Sequence, residues 1–170
     1  MITVNLHLHP LAWHVLRREC GTTPDGTVKM YLSRYHPLLV AMLERRLITP
    51  AEYITKPVKG REGKVFIYDN DFYRRGCYLR PNRQEWLSRI ITEDEKHRLC
   101  LFTAAIYATG LPRDTAMRYF IEKEDYEQDE LNFPQLKKYY QRNYSDNEKE
   151  LFADRQNIKK LMCEMSLPKK

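Results

Sequence analysis

Residues 2–9 alternate in polarity, with Ile2, Val4, Leu6 and Leu8 set against Thr3, Asn5, His7 and His9. A period of two puts the apolar side chains on one face of a strand. Pro10 suits the first turn of a helix, where its missing N–H leaves no bond unmade. Leu11, Ala12, Val15 and Leu16 give that helix an apolar face, and Gly21 ends it. After a turn at 22–26, Val28, Met30 and Leu32 alternate again and predict a second strand near 28–32. Pro37 opens a helix whose apolar positions are Leu38, Leu39, Met42, Leu43 and Leu47, and Thr49-Pro50 reads as the cap and first position of a short helical turn. Residues 57–63 read as a basic loop and 64–68 as a third strand. Residues 69–81 read as irregular, with a short extended piece at 77–79.

From Asn82 onward the pattern is helical. Trp86, Leu87, Ile90 and Ile91 form one stripe; Leu101, Phe102, Ala105 and Ile106 form another. Thr92-Glu93-Asp94-Glu95 fits a capping box, which predicts a break or bend between the stripes. Gly110-Leu111-Pro112 is a stop, and a helix over 112–123 follows with Ala116, Met117, Phe120 and Ile121 inward. Asn132-Phe133-Pro134 caps the next helix. Ser145-Asp146-Asn147-Glu148 is a second capping box, opening a helix over 146–165 with Leu151, Ile158, Met162 and Met165 near heptad spacing. The expected fold is α+β: a small N-terminal sheet with helices, then an all-helical C-terminal half. Residues 1–170 read as one domain, with a strand-containing half at 1–81, a helical half at 82–144 and a C-terminal helix at 145–170 that could serve as a docking extension.

Charge adds a partner class to this picture. Net charge is +6, with positive charge concentrated in residues 1–91 and again at 137–144. Between them, residues 122–130 carry six acids and one base, while 137–144 carry three bases, three tyrosines and no acid. Bases interleaved with rings suit phosphate and nucleobase together, so DNA or RNA is the expected partner. The acidic run would repel stray phosphates or occupy the basic surface. Cys20, Cys77, Cys100 and Cys163 lie far apart with no C-x-x-C pair, which excludes a zinc framework and a disulfide scaffold and points to a reducing, cytoplasmic setting. No apolar run approaches the roughly 18 residues of a membrane span, and the N-terminus has no leader pattern, so no membrane partner is expected.

Two candidate interfaces follow. A helix-turn-helix over 94–122 would have Gly110 at its turn, Ala116 and Tyr119 inward, and Arg113, Thr115 and Arg118 facing a groove. Ile106 stands where that motif wants a small residue. The helix at 134–144 would pack Leu136, Tyr139 and Tyr140 and project Lys137, Lys138 and Arg142. The expected nucleic-acid-binding residues are therefore Arg113, Arg118, Lys137, Lys138 and Arg142.

His7-Leu8-His9 resembles the metal-binding His-hydrophobe-His motif of rolling-circle and transposon nucleases, where a tyrosine on a later helix attacks the DNA phosphate. Tyr140 and Tyr144 resemble the paired tyrosines of one branch of that group. In that family strands precede the histidine strand, whereas here it is the first element. Asp25 with Glu62-Gly63-Lys64 resembles the acid, acid-x-lysine pattern of restriction-type nucleases, but a helix and two prolines intervene. Residues 60–64 are not a phosphate-binding loop, because the glycines are too close and Val65 replaces the Mg²⁺-binding hydroxyl. Trp13 and Trp86 read as core anchors.

The expectation is a non-enzymatic nucleic-acid-binding accessory or regulatory protein with no cofactor, no catalytic residue and no metal. A protein-interaction or homodimerising module acting through 146–165 is the alternative, and a metal-dependent tyrosine nuclease using His7, His9 and Tyr140 the third reading.

Overall fold

The computed structural model describes residues 1–45 and 60–144. The Thr49-Pro50 turn, the helix expected at 146–165 and Cys163 lie outside the described residues. The fold is α+β, with a two-stranded antiparallel sheet near the N-terminus and helices elsewhere. The chain forms two compact units, Met1–Glu95 and a second beginning at Lys96.

In the first unit β1 (Ile2–Leu8) pairs with β2 (Arg61–Ile67), in a register running from Ile2 opposite Ile67 to Leu8 opposite Arg61. Alternation decides what is buried: Val4, Leu6 and Leu8 join Val65 and Ile67 in the core. The outer edge of β1 is closed by side chains of a later helix, since His7 N–H donates to Gln84 Oε1 at 2.7 Å and His9 N–H to Ser88 Oγ at 2.8 Å. Helix α1 (Pro10–Cys20) buries Leu11, Ala12, Trp13, Val15 and Leu16, and ends at Gly21, whose φ is 67°. His9 caps it, its Nδ1 accepting from the Leu11 N–H at 3.2 Å.

Residues 28–32 are not a strand. Val28 makes single bridges to Thr22 and Val65, and Met30–Leu32 curls into a 3-10 turn closed by Ser33 N–H to Met30 O. The alternation fails at its third member: Val28 and Met30 are buried, but Leu32 is 59% exposed. Helix α2 (His36–Met42) ends where Leu43 is extended and Glu44 pairs with Tyr78, and Leu47 lies outside the described residues. That pairing does supply the extended piece expected near 77–79.

Strand β2 begins three residues earlier than expected, inside the presumed basic loop. The Trp13 ring covers its backbone there: Nε1 donates to Arg61 O at 2.8 Å, and a Cβ on Gly63 would lie 2.5 Å from Cζ2. Residues 69–75, expected to be irregular, form α3 (Asp69–Arg75), with Asp69 and Asp71 in its first turn, Arg74 and Arg75 in its last, and Gly76 at its C-cap.

Helix α4 (Pro81–Ala108) runs unbroken through residues 92–95, for 28 residues or about 42 Å. The capping box does not form, because both of its key side chains are used otherwise. Thr92 Oγ1 donates back to Arg89 O at 2.9 Å, and wholly buried Glu95 accepts two bonds from Arg18, at 2.8 and 3.0 Å. Trp86 is no core anchor; it is 42% exposed, while Trp13 is buried.

The second unit holds the end of α4, then α5 (Arg113–Lys123) and α6 (Phe133–Tyr144). Ala116, Met117 and Phe120 of α5 are buried, with Phe120 edge-on to Phe102 at 4.4 Å. Leu136 and Tyr140 of α6 are buried as well, and Asn132 Oδ1 caps the helix by accepting from the Gln135 N–H at 3.0 Å.

Candidate nucleic-acid interface

Packing of α5 on α6 sorts the five expected bases into two groups. The first lies in the seam between the helices. Lys137 Nζ donates to Asp114 Oδ2 at 2.7 Å and sits 5.6 Å from the Phe133 ring centre. Arg118 also lies over that ring, its Cζ 4.1 Å from the centroid. Arg113 stands 5.6 Å over the Tyr140 ring, with Nε 3.7 Å from Asp114 Oδ1. Arg113 and Asp114 also border an open cleft of about 420 Å³ with Tyr107 and Pro112.

Lys138 and Arg142 form the second group. They are four apart on the side of α6 opposite Leu136 and Tyr140, and both are exposed. No ion pair engages Arg118, Lys138 or Arg142 among the described residues. Lys137, by contrast, is tied to Asp114, whose carboxyl is held below its ordinary range, chiefly by the Lys137 hydrogen bond.

The acidic run is built into its own turn. Glu130 is buried and its Oε2 accepts from the Glu127 N–H at 3.0 Å; Tyr126 and Leu131 are buried beside it, and Asp125 takes a positive φ of 55°. Glu124 approaches Arg98 at 3.4 Å. Lys137, an expected phosphate-binding base, is held by Asp114, which lies outside this run.

For the helix-turn-helix, Gly110 (φ 109°) does stand between α4 and α5, and Thr115 and Arg118 are exposed. Tyr119 is not inward; it is 53% exposed and shares the outer face of α5 with Thr115, Arg118 and Glu122. Sequence reasoning thus missed an exposed ring beside Arg118, having given it a core role. It also missed a concentration of arginine around Glu44 in the first unit, which forms only because residues 44 and 78 pair.

Of the histidine and tyrosine candidates, His9 and Tyr140 both make contacts within the fold. His9 Nδ1 is occupied as the cap of α1, and Tyr140 is wholly buried, stacked on Tyr144 at 5.6 Å. Tyr144 Oη in turn contacts His97 Nδ1. Among the described residues no three His, Cys, Asp or Glu side chains are grouped to hold a metal, and no helix is long and apolar enough to cross a membrane. No family model, curated protein or solved structure matches this chain.

Proposed function

We propose that the protein is a non-enzymatic nucleic-acid-binding accessory protein that contacts phosphates through the exposed bases of α5 and α6. The observation that carries this reading is the condition of Arg118, Lys138 and Arg142. All three are solvent-facing and outside any ion pair among the described residues, while neighbouring Asp114, Glu124 and Glu130 are engaged with Lys137, Arg98 and their own turn. Exposed Tyr119 adds a face on which a base or sugar could pack.

The test is direct. Protein purified without nuclease should show an absorbance ratio at 260 against 280 nm above that of pure protein, and the excess should disappear after a high-salt wash. Lys138→Gln with Arg142→Gln should reduce the carried nucleic acid. A protein free of nucleic acid at low salt, and unable to retain added DNA or RNA, would overturn the reading in favour of a protein partner.

A further inference from the structure

Around Glu44 the first unit gathers five arginines that the sequence scatters over forty positions. The antiparallel bridge between Glu44 and Tyr78 does this, with Glu44 N–H donating to Tyr78 O at 2.9 Å and Tyr78 N–H to Glu44 O at 3.2 Å. Arg80 Nε and Arg83 Nη1 both donate to the Glu44 carboxylate, at 2.6 and 2.7 Å. Arg45, carried beside Glu44, donates to Tyr73 O at 3.2 Å, which places it at the end of α3 next to Arg74 and Arg75. Gly76 makes the approach possible: a Cβ there would lie 2.7 Å from the Glu44 carbonyl carbon and 2.8 Å from Arg45 Cα.

The Glu44 carboxylate pairs with two of these five guanidinium groups, those of Arg80 and Arg83. Of the acids at the start of α3, Asp69 pairs with the Met1 amino group at 2.6 Å, and Asp71 lies 3.2 Å from His36 Nε2. Exposed Glu85 is the next acid along α4. Arg74 and Arg75 are exposed and in no ion pair among the described residues. Two rings stand in the same patch, Tyr73 at 70% exposure and Tyr78 at 38%. Beyond Tyr78 opens a groove of about 510 Å³, lined by Thr3, Asn5, Asp25, Lys64 and Cys77 among others. That size lies within the range of small-ligand sites. Asp25 is already satisfied there by the Thr23 and Thr27 hydroxyls.

The geometry points to a binding surface for single-stranded nucleic acid on the first unit: Arg45, Arg74, Arg75 and Arg80 hold the phosphates while Tyr73 and Tyr78 stack unpaired bases. Guanidinium forks match phosphate geometry, and exposed rings distinguish this surface from one made for an acidic protein or a lipid headgroup, which offers no base to stack. A duplex hides its base faces, so the rings favour a single strand. Amide, hydroxyl and ammonium groups in the groove suit the edge of a base lifted past Tyr78.

This proposal rests on the nucleic-acid reading above, and the same titrations separate the two. Fluorescein-labelled 20-mers, oligo(dT), oligo(U) and a DNA duplex, would be titrated by anisotropy across a salt series with the full chain. Single strands should bind more tightly than duplex. Arg74→Gln with Arg75→Gln should flatten the single-strand salt slope by about 1.4, at about 0.7 per contact. Tyr73→Ala should cost at least about fivefold in affinity with little change of slope, and Tyr73→Phe should restore it. Because Tyr73, Arg74 and Arg75 are exposed, a melting curve will show whether each variant is folded. If the arginine pair leaves the slope unchanged, or the ring is inert while the arginines matter, the single-strand surface is overturned; the second result would leave a general anion patch. If Lys138→Gln with Arg142→Gln alone weakens binding, the α5–α6 reading stands and this one falls. If only the Arg74, Arg75 and Tyr73 variants weaken it, the reverse holds. Absence of binding to every probe removes both.

Discussion

Asp114 sits between two bases, with Lys137 Nζ at 2.7 Å from Oδ2 and Arg113 Nε at 3.7 Å from Oδ1. The hydrogen bond from Lys137 is the main reason its carboxyl stays below the ordinary range. A depressed carboxyl contributes stability that is present above its unfolded pKa of about 3.9 and is lost as pH falls through the folded value. The side chain is 44% exposed, so solvent screening keeps that contribution under about 1 kcal/mol. The larger consequence is for binding. Asp114→Asn frees Lys137, and should raise affinity for duplex DNA while steepening the salt slope by up to about 0.9; unchanged titrations would mean that Lys137 never reaches phosphate. Cys100 shows the opposite effect of environment, its buried thiol being pushed up to about 12. A raised thiol leaves its contribution intact below the unfolded pKa of about 8.5 and lets it drain away as pH rises toward 12. Brief alkylation of the native protein followed by peptide mapping should therefore modify exposed Cys77 and spare Cys20 and Cys100.

Elements that bury a periodic apolar face were legible in the sequence, and elements that do not were hidden. Strand β1 and helices α1, α5 and α6 declare themselves through Val4, Leu6 and Leu8, through Leu11, Val15 and Leu16, and through their caps. Helix α3 buries no residue, so it left no hydrophobic period to find; its signal was acids first, arginines last and then Gly76. The start of β2 was hidden because its partner on the covered face is a tryptophan ring lying on Gly63, which replaces the usual alternation. The false strand at 28–32 gave way to local turn bonds, Leu32 N–H to Lys29 O and Ser33 N–H to Met30 O, whereas the capping box at 92–95 was outcompeted by the longer-range bonds of Glu95 with Arg18. The α5–α6 bases were readable one by one, but the seam that ties Lys137 to Asp114 was not, since it joins residues 23 apart. The arginine patch was less readable still, being assembled by one bridge. Gly76 is where that assembly is most exposed to test. Its φ is 91° and an added Cβ would overlap the backbone of Glu44 and Arg45, so Gly76→Ala should destabilise the first unit by about 1–3 kcal/mol, seen as a lowered denaturant midpoint. A loss of stability below about 0.5 kcal/mol would show that the 44–78 pairing tolerates separation.

For the whole molecule, the question is whether its positive charge acts at particular places or as a diffuse field. A net charge of +6 attracts any polyanion at low salt, so binding alone does not identify a surface. A matched comparison does. Arg17 and Arg89 are exposed bases outside any ion pair among the described residues and belong to neither proposed surface. Replacing both with Gln removes the same two charges as Lys138→Gln with Arg142→Gln. If phosphates lie against α6, the second pair should flatten the duplex salt slope by about 1.8, at about 0.9 per contact, while the first pair lowers affinity through long-range attraction and leaves the slope nearly unchanged. The difference should persist at 0.15 M salt, where the Debye length is about 8 Å and distant charges are screened. Equal flattening by the two pairs would mean that polyanions meet the protein at no fixed place, and the α5–α6 interface would reduce to an ordinary solvated pair of helices.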